Sequence, residues 1–187
     1  MTASVDKVFR DAGAIMHGHF VLTSGRHSPV YWEKFRVIEQ PEATVKLCRM
    51  IVENFKHDGI EVVAGPTTGG VVLAYEVARQ MGVRCAFAEK TEKGRGFRRG
   101  LAIEPGERIL IVDDILTTGL SLRDVIGAVK QESAEIVGIG VLIDRSEPAV
   151  DFGFPLFSCL RNPAVSYPQE SCPQCRNGEP FTRLGGI

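Results

Sequence analysis

The stretch ILIVDDILTTGLSL, residues 109–122, decides how this chain is read. Ile109, Leu110, Ile111 and Val112 are apolar without alternation, the mark of a strand covered on both faces. Asp113 and Asp114 then stand side by side, and the loop Ile115, Leu116, Thr117, Thr118, Gly119, Leu120, Ser121 follows them. Leu122, Val125, Ile126 and Val129 recur at helical spacing behind that loop. Strand, acid pair, hydroxyl-rich turn and helix therefore succeed one another. In open parallel sheets ligands bind beyond the carboxyl ends of the strands, where these acids fall. N–H groups at a helix start suit a phosphate, and Gly119 lets backbone approach it closely. Adjacent acids alternate faces on a strand, so both reach one ligand only where the strand ends at Asp113. Two carboxylates can accept from the hydroxyls of a vicinal diol. Acids and cradle together describe a site for a sugar phosphate. A bare Asp-Asp is more often a helix cap and its neighbour; the whole run after a buried strand argues against that.

The same alternation continues on either side. EVVAG and RCAFAE read as strands around a helix over residues 70–81, with Val71, Ala74, Tyr75 and Ala78 facing inward. EIVGIGVLI is the next strand, and FPLFSCL the last. Upstream, Val5, Val8, Phe9, Ala12 and Ile15 mark an amphipathic helix. HFVLTSGRHSPVYWEKF gives two short strands about a Ser24-Gly25 turn. Pro41 opens a helix carrying Val45, Cys48, Ile51, Val52 and Phe55 on its inner face. The expected fold is α/β: a central, mostly parallel sheet flanked by helices, with a small N-terminal hood. One domain spans residues 1–187, with the hood mainly at 17–38, the core at about 42–160 and an irregular tail at 161–187.

A net charge of −1 over 187 residues gives no footprint for nucleic acid or an acidic membrane surface. No apolar run approaches the roughly 20 residues of a membrane span, and the N-terminus has no apolar signal core, so a cytoplasmic protein is expected. Five cysteines, three of them scattered, fit a reducing compartment.

Two further stretches look anion-binding. VAGPTTGGVVLAYEVA, residues 63–78, is again strand, glycine-rich turn and helix, and Thr67, Thr68 and Gly69 could offer N–H groups to a second anionic end. EKTEKGRGFRRG, residues 89–100, carries Lys90, Lys93, Arg95, Arg98 and Arg99 among glycines. Such a run is usually a solvated face; between two strands of this sheet it reads as a mobile cationic lid.

ILIVDDILTTGLS resembles the signature with which type I phosphoribosyltransferases bind phosphoribosyl pyrophosphate. That resemblance implies that Asp113 and Asp114 hold the ribose hydroxyls, that Thr117 to Ser121 wrap the 5′-phosphate with Ile115 and Leu116 also on the donor, and that the 67–69 turn, with a non-proline cis peptide, receives pyrophosphate. TSGRHSPVYWEK, residues 23–34, the arginine of IDRSE and the C-terminal CPQCRNGEP resemble the orotate phosphoribosyltransferases, on a longer bacterial and archaeal branch. The resemblance spans about residues 6–180. It implies transfer to orotate in pyrimidine synthesis, with Thr117 and Arg145 contacting orotate beneath Tyr31 and Trp32. An arginine fork suits the orotate carboxylate. It implies Lys90, Lys93 and Arg95 on the pyrophosphate, with Lys93 beside the two acids at the reaction. It also implies Mg²⁺ held mainly through the substrate near Asp113 and Asp114, and a homodimer in which loop 89–100 reaches the neighbouring site. Purine transfer and a non-catalytic donor-binding regulator are the alternatives. The chain departs from the family pattern at Thr23, at Thr68-Gly69 and at Glu89, where a lysine, Tyr-Lys and an arginine are common; we read this as variation within the longer branch.

Cys172 and Cys175 form one CxxC, readable as thiols, a disulfide or half of a zinc site. His17, His19, His27 and His57 show no ligand spacing; His27 lies in the hood motif and is a candidate for touching substrate.

Overall fold

The structure, a computed structural model, describes residues 2–22, 24–92 and 94–184. Helix α1 (Thr2–Asp11) ends where Gly13 takes a φ of 68°, a left-handed conformation that glycine adopts freely. The turn sends Ile15 into strand β1 (Ile15–Val21) rather than into the helix its spacing suggested. β1 pairs antiparallel with β2 (His27–Trp32). A short α2 (Phe35–Ile38) leads to α3 (Pro41–Phe55), which opens on its proline as expected.

The core then runs β3 (Val62–Pro66), α4 (Gly69–Met81), β4 (Arg84–Thr91), β5 (Gly94–Phe97), β6 (Arg108–Leu116), α5 (Leu120–Gln131), β7 (Glu135–Asp144), β8 (Leu156–Arg161). These strands form one sheet in the order β5-β4-β3-β6-β7-β8, all parallel except β5. Leu110 and Val112 of β6 pack toward α3 and α4, with Leu47, Ile51, Leu73 and Val77. Ile109 and Ile111 pack toward α5, with Leu122, Val125 and Val129. Burial on both faces explains the unbroken apolar run. Within α4 the buried stripe is Gly70, Leu73, Ala74, Val77 and Ala78. Tyr75, expected inside, lies on the opposite face and is 65 % exposed.

From β3 the chain crosses outward to β4; from β6 it crosses the other way to β7. The β3–β6 junction is thus the sheet's topological switch point, where the crevice of an open α/β sheet forms. Residues 161–187, expected to be irregular, are partly ordered: a 3-10 turn (Gln169–Ser171), α6 (Pro173–Arg176) and β9 (Thr182–Arg183). β9 lies parallel to β1 and completes a three-stranded hood sheet β2-β1-β9. Two residues in extended conformation give no sequence signal; a neighbouring edge strand supplies their order.

Candidate active site

The two turns expected from the sequence to bind anions flank the β3–β6 junction. β3 pairs with β6 only as far as Ala64 and Ile111, then turns away at Pro66. β6 runs on through the acids to Leu116, paired with β7 on its other side. The strand therefore runs on past Asp113, where it was expected to end; the departure of β3 after Ile111 leaves the β6 edge beside the acids without a partner strand. Both are buried. Asp113 accepts from the Asp114 N–H at 2.8 Å. Asp114 Oδ1 accepts from the Ile115 N–H at 2.7 Å and from Lys34 Nζ at 2.9 Å. Asp114 Oδ2 is buried with no hydrogen-bond partner among the described residues. Burial, and then the adjacent Asp114 carboxylate, push Asp113 up to about 7, against the Asp114 N–H, Lys34 and Ser121.

The orphan oxygen points at the other turn. A Cβ on Gly69 would sit 1.9 Å from Asp114 Oδ2. Thr68-Gly69 is one of the places where the chain departs from the family pattern, and here a side chain at 69 has no room. The Thr67–Thr68 peptide is cis, as the resemblance implied. Gly69 and Gly70 begin α4, so the first N–H groups of this helix, free of intrahelical acceptors, face the same crevice. Across the junction, Thr117 and Thr118 are exposed at the end of β6, and Gly119 caps α5 at a φ of 78°. A Cβ there would also meet Phe152 Cζ at 2.9 Å. Leu120 and Ser121 form the first turn of α5.

The basic stretch is not a free loop. It folds back as a β4–β5 hairpin, with Lys90 opposite Arg95. Arg95 is buried: its guanidinium donates to Thr67 Oγ1 at 3.1 Å, to the Thr67 carbonyl at 3.2 Å and to the Ala88 carbonyl at 2.9 Å. Arg95 thus braces the 67–69 turn from below, where the sequence suggested a mobile contact. Glu89, in place of the family's arginine, pairs with Arg99 at 3.0 Å. Lys90 and Arg98 remain exposed. Lys93 and Thr23 lie outside the described residues.

Arg145 follows β7 and is buried, its side chain 5.4 Å over the Trp32 ring. Its Nε has no partner among the described residues, and burial lowers its pKa to about 10, so it stays cationic at neutral pH. Trp32 and Arg145 share a cavity of about 140 Å³ with Ile15, Val30 and Val165. Tyr31 does not join them. It points to the other face of β2 and meets Phe20 at 5.6 Å, while Trp32 meets Phe9 at 5.2 Å. The Tyr31-Trp32 pair therefore divides between two faces, as strand neighbours must.

Lys34 was missed as a site residue. It closes the hood motif, and its contact with Asp114 spans 80 positions. Only the return of the hood over the sheet brings the two together. Beside Arg145, Asp144 accepts from Arg161 and from the Ser146 N–H at 2.8 Å. This network fixes the turn that carries the arginine.

The arrangement defines a class: a sheet with two helix-start anion cradles at its switch point, an acid pair between them and a buried arginine under a hood. The chain also resembles known proteins. The family profile described as the phosphoribosyl transferase domain matches residues 38–166. The orotate phosphoribosyltransferase of Pelotomaculum thermopropionicum is 46% identical over 95% of this chain and 94% of its own. That of Caldanaerobacter subterraneus is 41% identical over 96% and 94%. The crystal structure of orotate phosphoribosyltransferase from Aeropyrum pernix superposes with a TM-score of 0.73 at 26% identity, covering 84% of this chain and 93% of that one. The chain belongs to the orotate phosphoribosyltransferase family.

Proposed function

We infer that the protein transfers the phosphoribosyl group of 5-phosphoribosyl 1-pyrophosphate to orotate, giving orotidine 5′-phosphate and pyrophosphate in pyrimidine biosynthesis. The observation that carries this reading is Asp114 Oδ2, a buried, unpartnered carboxylate oxygen between two anion cradles. A lone acceptor there needs hydroxyl donors or a cation, and a ribose diol supplies the first. Asp113 and Asp114 hold the ribose, backed by Lys34. Residues Ile115, Leu116, Thr117, Thr118, Gly119, Leu120 and Ser121 surround the 5′-phosphate at the start of α5. Thr67, Thr68 and Gly69 receive the pyrophosphate at the start of α4, on a turn that Arg95 holds in place. Arg145 receives the orotate carboxylate, with Trp32 against it and Thr117 beside it.

The chemistry follows from charge. The orotate nitrogen attacks C1 as the bond to pyrophosphate breaks, and the ring sugar passes through a cationic, oxocarbenium-like state. Ionised carboxylates near the ribose favour that charge. Lys90 and Lys93 favour the departing anion, and the cationic stretch that carries them helps exclude water. An orphaned acid oxygen beside a pyrophosphate cradle also fits Mg²⁺, which supplies charge neutralisation of the leaving group and is held mainly through the substrate, near Asp113 and Asp114. We place the enzyme in the cytoplasm as a homodimer, the exposed cations of hairpin 89–100 reaching the neighbouring site.

The test is loss of orotate absorbance with purified protein, phosphoribosyl pyrophosphate and Mg²⁺, with adenine, hypoxanthine and uracil in parallel. Turnover of orotate alone, lost in Asp114→Asn, is expected. Turnover of a purine instead would overturn the role of Arg145. Donor binding without turnover of any base would make the protein a regulator.

A further inference from the structure

The hood holds a cluster that the transfer reaction does not use. His19 on β1, His27 on β2 and Cys172 and Cys175 on the returning tail bring their ligand atoms within 4.8 Å of one another. They come from segments more than 140 positions apart. His19, His27 and Cys172 are buried, and Cys175 is half-buried. Phe181 closes one side, its ring 5.8 Å from His19 and 5.5 Å from His27. We propose that these four side chains bind one structural zinc ion that ties the C-terminal tail to the hood.

The geometry carries the assignment. Zinc with Zn–S of about 2.3 Å and Zn–N of about 2.0–2.1 Å in a tetrahedron sets S···N edges near about 3.5 Å and the N···N edge near about 3.3 Å. The cluster has Cys172 Sγ to His19 Nε2 at 3.5 Å, Cys175 Sγ to His19 Nε2 at 3.7 Å and Cys175 Sγ to His27 Nδ1 at 3.4 Å. The imidazole pair, at 2.7 Å, must open by about 0.6 Å, and all four ligand atoms already lie within 4.8 Å of one another. The outer contacts fit as well. His19 Nδ1 lies 2.9 Å from the Glu179 carbonyl oxygen. A carbonyl only accepts, so Nδ1 carries the proton and Nε2 presents its lone pair to the cluster, the arrangement that orients metal-bound histidines. Two thiolates with two imidazoles and no carboxylate select zinc over Mg²⁺. Four ligands leave no open position, so the site is structural.

The local chain is built for it. Cys172 precedes Pro173 at the start of α6, and the Arg176 N–H returns to the Cys172 carbonyl at 3.2 Å, turning both sulfurs to one side. His27 exchanges two backbone hydrogen bonds with Tyr167, each 2.8 Å, which brings the tail to the hood. The hood-motif histidine is thereby taken up by the cluster and not by substrate.

Full-length protein purified without added chelator should contain about one zinc per chain by elemental analysis. Zinc should leave when thiols are titrated with a mercurial. Co²⁺ added to metal-stripped protein should give the intense visible bands of a tetrahedral thiolate site. Zn²⁺ restored to stripped protein should raise Tm in a concentration-dependent way. Cys175→Ser should lose the zinc. Because that variant could fail to fold, the Co²⁺ spectrum of the unaltered chain stands as an independent reading. Stripped protein that gives no Co²⁺ bands and no Tm change with Zn²⁺ would overturn the proposal. So would mass mapping that finds a Cys172–Cys175 disulfide in protein purified under reducing conditions.

Discussion

Gly69→Ala isolates the contact between the two turns. The new methyl would lie 1.9 Å from Asp114 Oδ2, and the carboxylate must withdraw by about 1.5 Å to reach ordinary contact. It cannot do so freely. Its other oxygen is held by Lys34 at 2.9 Å and by the Ile115 N–H at 2.7 Å, so withdrawal breaks or lengthens both. A hydrogen bond to a charged group is worth about 1.5–3 kcal/mol, so losing one between Asp114 and the ribose lowers kcat/KM by about 10- to 150-fold. Tm should fall as well, because the Lys34 and Ile115 contacts are made in the substrate-free protein and loosening one costs about 1.5–3 kcal/mol. The assay is steady-state orotate consumption at varied phosphoribosyl pyrophosphate, with Tm by scanning fluorimetry. Gly127→Ala, in the middle of α5 with nothing within 4 Å of the added Cβ, is the control. It should stabilise the chain by about 0.5–1 kcal/mol and leave activity unchanged. Wild-type kcat/KM in Gly69→Ala would refute the claim that Asp114 must hold this position.

Arg145→Lys keeps the charge but loses the fork, and should raise KM for orotate about tenfold or more with little change for the donor; equal effects on both substrates would place the arginine outside the orotate site. Asp113 gives the substrate-free protein a pH dependence. Its pKa is raised on folding, so the stability it contributes is full below about 4 and is lost as pH rises through about 7; chemical denaturation should show that slope, and Asp113→Asn should flatten it. Donor and Mg²⁺ should favour the ionised form, so calorimetry in buffers of different ionisation enthalpy should detect proton release near neutrality, absent in Asp113→Asn. Arg95→Met keeps length but takes the guanidinium from the Thr67 carbonyl and leaves the Ala88 carbonyl with only the Thr67 N–H, at 3.2 Å. It should cost about 1–3 kcal/mol and weaken pyrophosphate binding in isothermal titration.

What the sequence displays is what depends on neighbours a few positions apart. The unbroken apolar run of β6 and the helix stripe after it are local patterns, and they placed the sheet and the two strand-to-helix turns at its switch point. The hairpin at 94–97 was not legible, because backbone pairing and one buried guanidinium hold it, and neither leaves an apolar period. Tyr75 was misplaced because an inward face drawn through positions 71, 74, 75 and 78 differs by a small rotation from the buried one through 70, 73, 74, 77 and 78. Lys34 and the His19–His27–Cys172–Cys175 cluster depend on separations of 80 and about 150 positions, which no spacing within a motif reports. The departures at Thr68-Gly69 and Glu89 became intelligible only with the room measured around Gly69 and with Arg99 found beside Glu89.

The hood sheet is made of the second and third elements of the chain together with its last. During synthesis β1 and β2 emerge early, but a two-stranded hairpin alone is marginal in water. The five parallel strands that build the donor crevice follow and can close on themselves while the tail is still in the ribosome. Only when residues 182–183 arrive does the hood gain its third strand. The pocket beneath Trp32 also takes Asn162, Pro163 and Val165 from the tail, so a chain cut short before residue 162 should still bind the sugar donor but fail to hold the base.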